Sequence, residues 1–124
     1  MAGPRSNRKS TVLDSDFDIE GMQRNADDAA RMLRALANPQ RLRILCLLVG
    51  SEMSVGQINE RVDLSQSALS QHLAVLREQH LVVTRREAQT IFYRLESGPA
   101  QAVIETLHSI YCSPRGRARS LCRI

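Results

Sequence analysis

The sequence predicts a mainly α-helical fold carrying one β-hairpin, in the order α-α-α-α-β-β-α, and three observations predict it. Apolar residues recur at helical spacing in four segments before residue 80 and in one after residue 99. Between them, "LVVTRREAQTIFYRLE" holds two β-rich runs, Leu81 to Glu87 and Ile91 to Leu95, around "AQT", which is the pattern of a hairpin. Finally, "SVGQINERVDLSQSALSQHLAVLREQHL", residues 54–81, places two short amphipathic segments only a few polar residues apart.

The elements follow in order. Residues 1–17 are polar and aperiodic, and read as a disordered arm. From Ile19, the positions Met22, Ala26, Ala29, Ala30, Leu33, Leu36 and Ala37 make one amphipathic helix over 19–37. "NPQ" ends it: Asn38 caps a second helix with Pro39 at its first position, where the missing N–H costs nothing. That helix runs to Val49. It is apolar almost all round after Arg43, as a central buried helix is, and Gly50 is its stop. Ser54 with Gln57 makes a capping box for a short third helix through Val62.

Ser65 caps the fourth helix. Ala68, Leu69, Leu73 and Leu76 share its inner face, which leaves Gln66, Ser67, Ser70, Gln71 and Ala74 outward. After the hairpin and Pro99, the spacing of Ala100, Val103, Ile104, Leu107, Ile110 and Tyr111 gives a last helix to about Cys112, with Pro114 and Gly116 beyond it. A chain of 124 residues holds one such domain, here 18–112, with a basic flexible tail at 113–124.

Charge narrows the partners. The net charge is +4, and Arg115, Arg117, Arg119 and Arg123 of the tail equal the whole excess, so the body is close to neutral. Any nucleic-acid affinity must come from the local placement of arginines rather than from total charge. Lys9 is the only lysine, and arginine suits bidentate phosphate contacts better. No apolar run of 18 residues and no signal-peptide core appear, which predicts a cytoplasmic protein without a membrane partner. Cys46, Cys112 and Cys122 lie far apart, with no zinc-ligand spacing, so no metal site and no cofactor are expected. A thiol enzyme is disfavoured, because no His/Asp partner and no phosphate-binding Gly loop accompany the cysteines.

Two short helices joined by a tight turn, the second apolar inside and small and polar outside, describe a helix-turn-helix. A low-bulk outer face enters a major groove, and Gln and Ser offer donors and acceptors that match base edges. Gln66, Ser67, Ser70 and Gln71 are therefore the candidate base readers, with His72 and Arg77 as candidate phosphate contacts. His72 has an alternative, a hydrogen bond within the turn, and Arg41 divides between backbone contact and intramolecular pairing. A basic hairpin directly after the second helix is a wing, on which Arg85, Arg86, Gln89 and Thr90 reach phosphates or the minor groove. The fold predicted is thus a winged helix-turn-helix.

The stretches "LRALANPQRLRILCLL", "LSQSALSQHLAVLREQHLV" and "RREAQTIFYRL" make the chain resemble the ArsR/SmtB family of bacterial winged-helix repressors over residues 27–112. The resemblance implies a homodimer built by the first and last helices, seated on a pseudo-palindromic double-stranded operator and released by an inducer. The metal ligands of many relatives are missing: "EMSVGQI" has no cysteine, and "QAVIETLHSIYC" offers only Glu105 and His108. "RLRILCLL" together with "IYC" instead resembles the branch that senses persulfides and oxidants, which includes biofilm-growth and hemolysin regulators.

That branch implies that Cys46 and Cys112 lie close and become joined as a disulfide or polysulfide bridge, releasing DNA. Arg43 and Arg115 are placed in sequence to favour thiolate. Against this stands the ordinary use of a cysteine in "RILCLLV" as a small buried hydrophobe. Cys122 has no assigned role. The function expected is a homodimeric repressor that reactive sulfur species or oxidants release; the alternatives are a constitutive DNA binder acting as an anti-repressor, and a metal-responsive repressor.

Overall fold

The computed structural model describes residues 17–112, which fall into two compact units, one ending at Arg31 and the other beginning at Met32. The arm expected over 1–17, apart from Phe17, and the tail at 113–124 with Arg115 and Cys122 lie outside the described residues.

Helix α1 spans Ile19–Arg24 and α2 spans Ala26–Leu36. Asp18 caps α1, its Oδ1 accepting from the Gly21 N–H at 2.9 Å. The single helix expected over 19–37 is therefore two, and Asn25 is the reason. Its φ of −103° and ψ of 12° leave the helical region, and its Nδ2 donates back to the Gly21 carbonyl at 2.9 Å. A short amide that bonds its own backbone competes with the helix ladder, and here it closes one helix while its carbonyl opens the next by accepting from Ala29.

In the second unit, α3 covers Pro39–Leu47. Its cap is the one expected: Asn38 Oδ1 accepts from the N–H groups of Gln40 and Arg41 at 3.0 and 3.1 Å, ahead of Pro39 in the first turn. Gly50, at φ 72°, turns the chain away beyond it. Helix α4, Val55–Arg61, begins with the expected capping box, Ser54 Oγ accepting from Gln57 N–H at 3.2 Å and Gln57 Oε1 from Ser54 N–H at 2.8 Å. Helix α5 is Gln66–Glu78, strands β2 and β3 are Val82–Glu87 and Thr90–Leu95, and α6 is Pro99–Tyr111.

Residues Glu52–Ser54 form a further strand, β1, that the sequence reading did not include, so the order is α-α-α-β-α-α-β-β-α. Three residues carry no periodicity of their own. The strand exists through pairing, Glu52 opposite Arg94 and Ser54 opposite Phe92, in an antiparallel sheet of order β1-β3-β2.

The core joins Ile44 and Leu45 of α3, Ile58 of α4, Leu69, Leu73 and Leu76 of α5, Leu81 and Val82 at the start of the hairpin, Leu95, and Ile104 of α6. Burying one such Leu or Ile contributes about 1.5–3 kcal/mol. Three leucines of α5 at i, i+4 and i+7, all buried, fix that helix rotationally and so decide which side chains it shows to solvent. Among the described residues no helix is long and apolar enough to cross a membrane.

Candidate nucleic-acid interface

The connection between α4 and α5 is only Val62 to Ser65, and it is held from both sides. Val62 is buried, and Asn59 Nδ2 donates to the Leu64 carbonyl at 2.9 Å, locking the turn against α4. Ser65 then caps α5, its Oγ accepting from the Ala68 N–H at 3.1 Å. At the other end α5 closes with a Schellman pair: Leu81 N–H donates to the Leu76 carbonyl at 2.9 Å and His80 N–H to Arg77 at 3.0 Å. His80 occupies the left-handed position at φ 61°, a place that favours glycine. Both ends of α5 are thus pinned, and the helix is presented as a rigid body.

Its outward face carries Gln66, Ser67, Ser70, Gln71, Ala74 and Arg77, all exposed. Gln66, Ser70, Gln71 and Arg77 make no side-chain hydrogen bond or ion pair among the described residues, and Ser67 meets only the Ser65 hydroxyl, at 3.4 Å. The amide and hydroxyl groups are therefore available to an external partner, with Ala74 keeping the middle of the face low. Among the described residues, only the long Ser65 contact of Ser67 touches the donors and acceptors that match base edges.

His72 stands apart from that face. It is half-buried and its Nδ1 lies 3.5 Å from Arg41 Nη1. Burial, and after it the Arg41 charge, hold its pKa below the usual histidine range, so the ring is neutral near pH 7. Arg41 itself is turned inward, donating to the carbonyls of Ala35 and Arg34, the second at 3.2 Å, and so satisfies the exposed C-terminal end of α2. Intramolecular pairing settles the two roles the sequence left open for Arg41.

The hairpin closes through Ala88 and Gln89, with Ala88 at φ 57° and Glu87 paired to Thr90. Gln89 and Thr90 are exposed at the tip, and Arg86 is exposed beside it with no ion pair among the described residues. Arg85 differs. Its Nε and Nη2 donate to the Glu52 carboxylate at 2.8–3.2 Å, its Nη1 to Glu87 at 3.0 Å, and its guanidinium carbon sits 4.7 Å from the Phe92 ring centroid. These carboxylates raise the Arg85 pKa further, and Arg85 in turn holds the Glu52 carboxyl below its usual range. Glu52 is the residue that sequence reasoning missed: it lies 33 positions before its partner, in a strand too short to read.

Of the two thiols, Cys46 lies on α3, half-buried against the shared core, and is free. Burial pushes its pKa up, and among the described residues no cation opposes that, so the expected help from Arg43 is absent. Cys112 is half-buried at the C-cap of α6 and is engaged in a disulfide. Cys46 being free, the two are not bridged to each other here.

A helix-turn-helix with a bare polar second helix, followed by a hairpin wing, defines a winged-helix DNA-binding regulator, not an enzyme. The model of the bacterial regulatory protein, arsR family, matches residues 38–84. The transcriptional activator HlyU of Vibrio cholerae is 53% identical over 96 residues, covering 77% of this chain and 89% of its own length. The crystal structure of the transcriptional repressor BigR from Xylella fastidiosa superposes with a TM-score of 0.71 at 40% identity, over 77% of this chain and 98% of that one. A homodimeric winged helix-turn-helix DNA-binding domain from Mycobacterium bovis, at 28% identity, superposes with a TM-score of 0.65 over 79% of this chain and 89% of that one. The chain belongs to the arsR family of bacterial transcriptional regulators.

Proposed function

We propose that this regulator is a cytoplasmic, homodimeric repressor that sits on a pseudo-palindromic operator and leaves it when Cys46 and Cys112 are cross-linked by reactive sulfur species or oxidants. The observation that carries the DNA reading is the unengaged face of α5: Gln66, Ser67, Ser70 and Gln71 read base edges, and Arg77, Arg86, Gln89 and Thr90 hold the backbone or the minor groove. His72 backs α5 from within, as a neutral ring against Arg41.

Dimerisation through the first and last helices is supported by large apolar side chains left in solvent there, Ile19 and Met22 on α1, and Ile110 and Tyr111 on α6. Two copies related by a two-fold axis present two α5 helices to successive major grooves, one helical turn apart.

For the switch, the support is the family branch together with the position of Cys46, packed on the same core as Val103 and Leu107 of α6. In this scheme Cys112 is the first nucleophile of the reduced protein, and Cys46, whose pKa burial pushes up, resolves the product. The Cys112 thiolate takes the sulfane sulfur of a persulfide and releases the donor's thiolate. The Cys46 thiolate then attacks the Cys112 sulfur, expelling hydrosulfide and leaving a disulfide between α3 and α6. A cross-link at that place displaces the two α5 helices relative to one another, and spacing matched to the groove is lost.

The burial of Cys46 favours a second reading, a constitutive DNA binder in which that thiol only fills the core. Intact mass and peptide mapping of the reduced chain after a glutathione persulfide donor, or after peroxide, separate the two when run beside DNA binding. A Cys46 to Cys112 bridge that forms as DNA is released, and a loss of response in Cys46→Ser and Cys112→Ser, is the expected result. Release that persists in both variants, or no release at all, overturns the switch.

A further inference from the structure

Arg85 is one of the two wing arginines that the sequence singles out, yet its three guanidinium nitrogens are already taken by carboxylates. The sheet order is β1-β3-β2, so Arg85 on β2 and Glu52 on β1 are not neighbours: the guanidinium crosses β3 to reach its partner, lying over Phe92 on the way. The register supports this directly, because Arg85 and Ser54 both face Phe92, from opposite sides. Glu52 is two residues before Ser54, the N-cap of α4. One side chain therefore ties the outer strand of the wing to the strand that runs straight into the helix-turn-helix.

We infer that Arg85 is a positioning residue for DNA recognition, a clasp through Glu52 and Phe92 that fixes the angle of the wing to α4 and α5, and that it does not itself hold a phosphate. The inference rests on the DNA-binding reading above. An isolated exposed ion pair is weak, but this one is forked, shared with Glu87 and backed by an aromatic ring, which gives it a fixed geometry. Engaging DNA with Arg85 would break that arrangement and leave Glu52 and Glu87 facing the phosphates, a like-charge contact. Arg86, with no ion pair among the described residues, carries no such cost and is the wing's phosphate ligand.

The test compares Arg85→Lys, Arg85→Gln, Glu52→Gln, the Glu52→Gln/Arg85→Gln pair and Arg86→Gln in the full, reduced chain. The probes are a duplex recovered by in vitro selection with the wild-type chain and a random-sequence duplex, each titrated over a salt series. Lysine keeps the charge but cannot make the fork, so the clasp predicts that Arg85→Lys loses affinity for the selected duplex about tenfold, comparable to one well-made base pairing by a side chain. Glu52→Gln loses as much, the double variant loses no more than either single, and none of these flattens the salt dependence. Arg86→Gln weakens both duplexes and flattens the slope by ~0.9 for each phosphate that is no longer neutralised.

Arg85→Lys binding like wild type, with Arg85→Gln flattening the slope as Arg86→Gln does, overturns the clasp and makes Arg85 a phosphate ligand. Amide exchange in β2 and β3 of the free chain reads the clasp without DNA. Faster exchange in Arg85→Lys and Glu52→Gln is expected, and unchanged exchange overturns the inference. A wild-type chain that binds neither duplex contradicts the DNA reading and leaves the exchange result to decide the clasp.

Discussion

Helix α5 and the hairpin wing both carry polar side chains on exposed surfaces, but the structure treats them in opposite ways. On α5 the Gln and Ser side chains are almost unengaged while the leucines beneath are fully buried, so the helix is rigid and its outer face is chemically free. On the wing the charged face is satisfied from within: Arg85 answers Glu52 and Glu87 and covers Phe92. Exposure alone therefore does not mark a contact residue. Freedom of the donors and acceptors does, and on that ground we propose α5 as the reading surface, Arg86 as the wing's phosphate contact and Arg85 as scaffold.

The largest effect comes from removing what holds α5 in place. Leu73→Ala opens a cavity beneath it and is expected to cost about 2–5 kcal/mol in urea denaturation, with DNA binding abolished alongside. Next is the reading face itself. Gln71→Ala should leave the denaturation midpoint unchanged and lower affinity for a selected duplex by about 1–3 kcal/mol, the value of a bidentate base contact. A variant that loses both stability and binding in proportion would show that the face is structural after all.

A smaller change concerns the ends of these elements. His80 and Ala88 both sit at positive φ, where an L side chain is strained by about 1 kcal/mol or somewhat more. His80→Gly is expected to stabilise the chain by about 1 kcal/mol in thermal or urea unfolding without altering DNA binding, and Ala88→Gly to do so by no more than that.

The smallest effect is a pH dependence. The depressed pKa of His72 means that the unfolded chain binds a proton more readily than the folded one, so the stabilising neutral ring is present above the unfolded value and its contribution fades as pH falls below about 6.5. Unfolding free energy measured from pH 7.5 to 5 should decline, and His72→Gln should flatten that part of the decline. An unchanged slope would mean that His72 is not buried beside Arg41 in solution.

The same contrast separates what was legible in the sequence from what was not. The capping box at Ser54 and Gln57 and the cap at Asn38 are local signals, and each yielded the element it indicates, as did the periodicity of α5 and α6. The exposed face of α5 followed from the same periodicity. The break at Asn25 was hidden because the apolar spacing runs through it without interruption, while the cause is one side-chain amide bonded to Gly21. Strand β1 and the Glu52–Arg85 fork were hidden for a different reason: both are formed by residues brought together from more than 30 positions apart, and neither leaves a local pattern. Charge at the wing was legible, its engagement was not.

The most direct measurement is in vitro selection from a random duplex library, performed with the full, reduced chain and with Gln66→Ala/Gln71→Ala. The wild type is expected to enrich a palindrome of two half-sites centred about one helical turn apart, and the variant to lose sequence information at matching positions within both half-sites. No enrichment by the wild type, or the same consensus from the variant, would contradict the assignment of sequence reading to the face of α5.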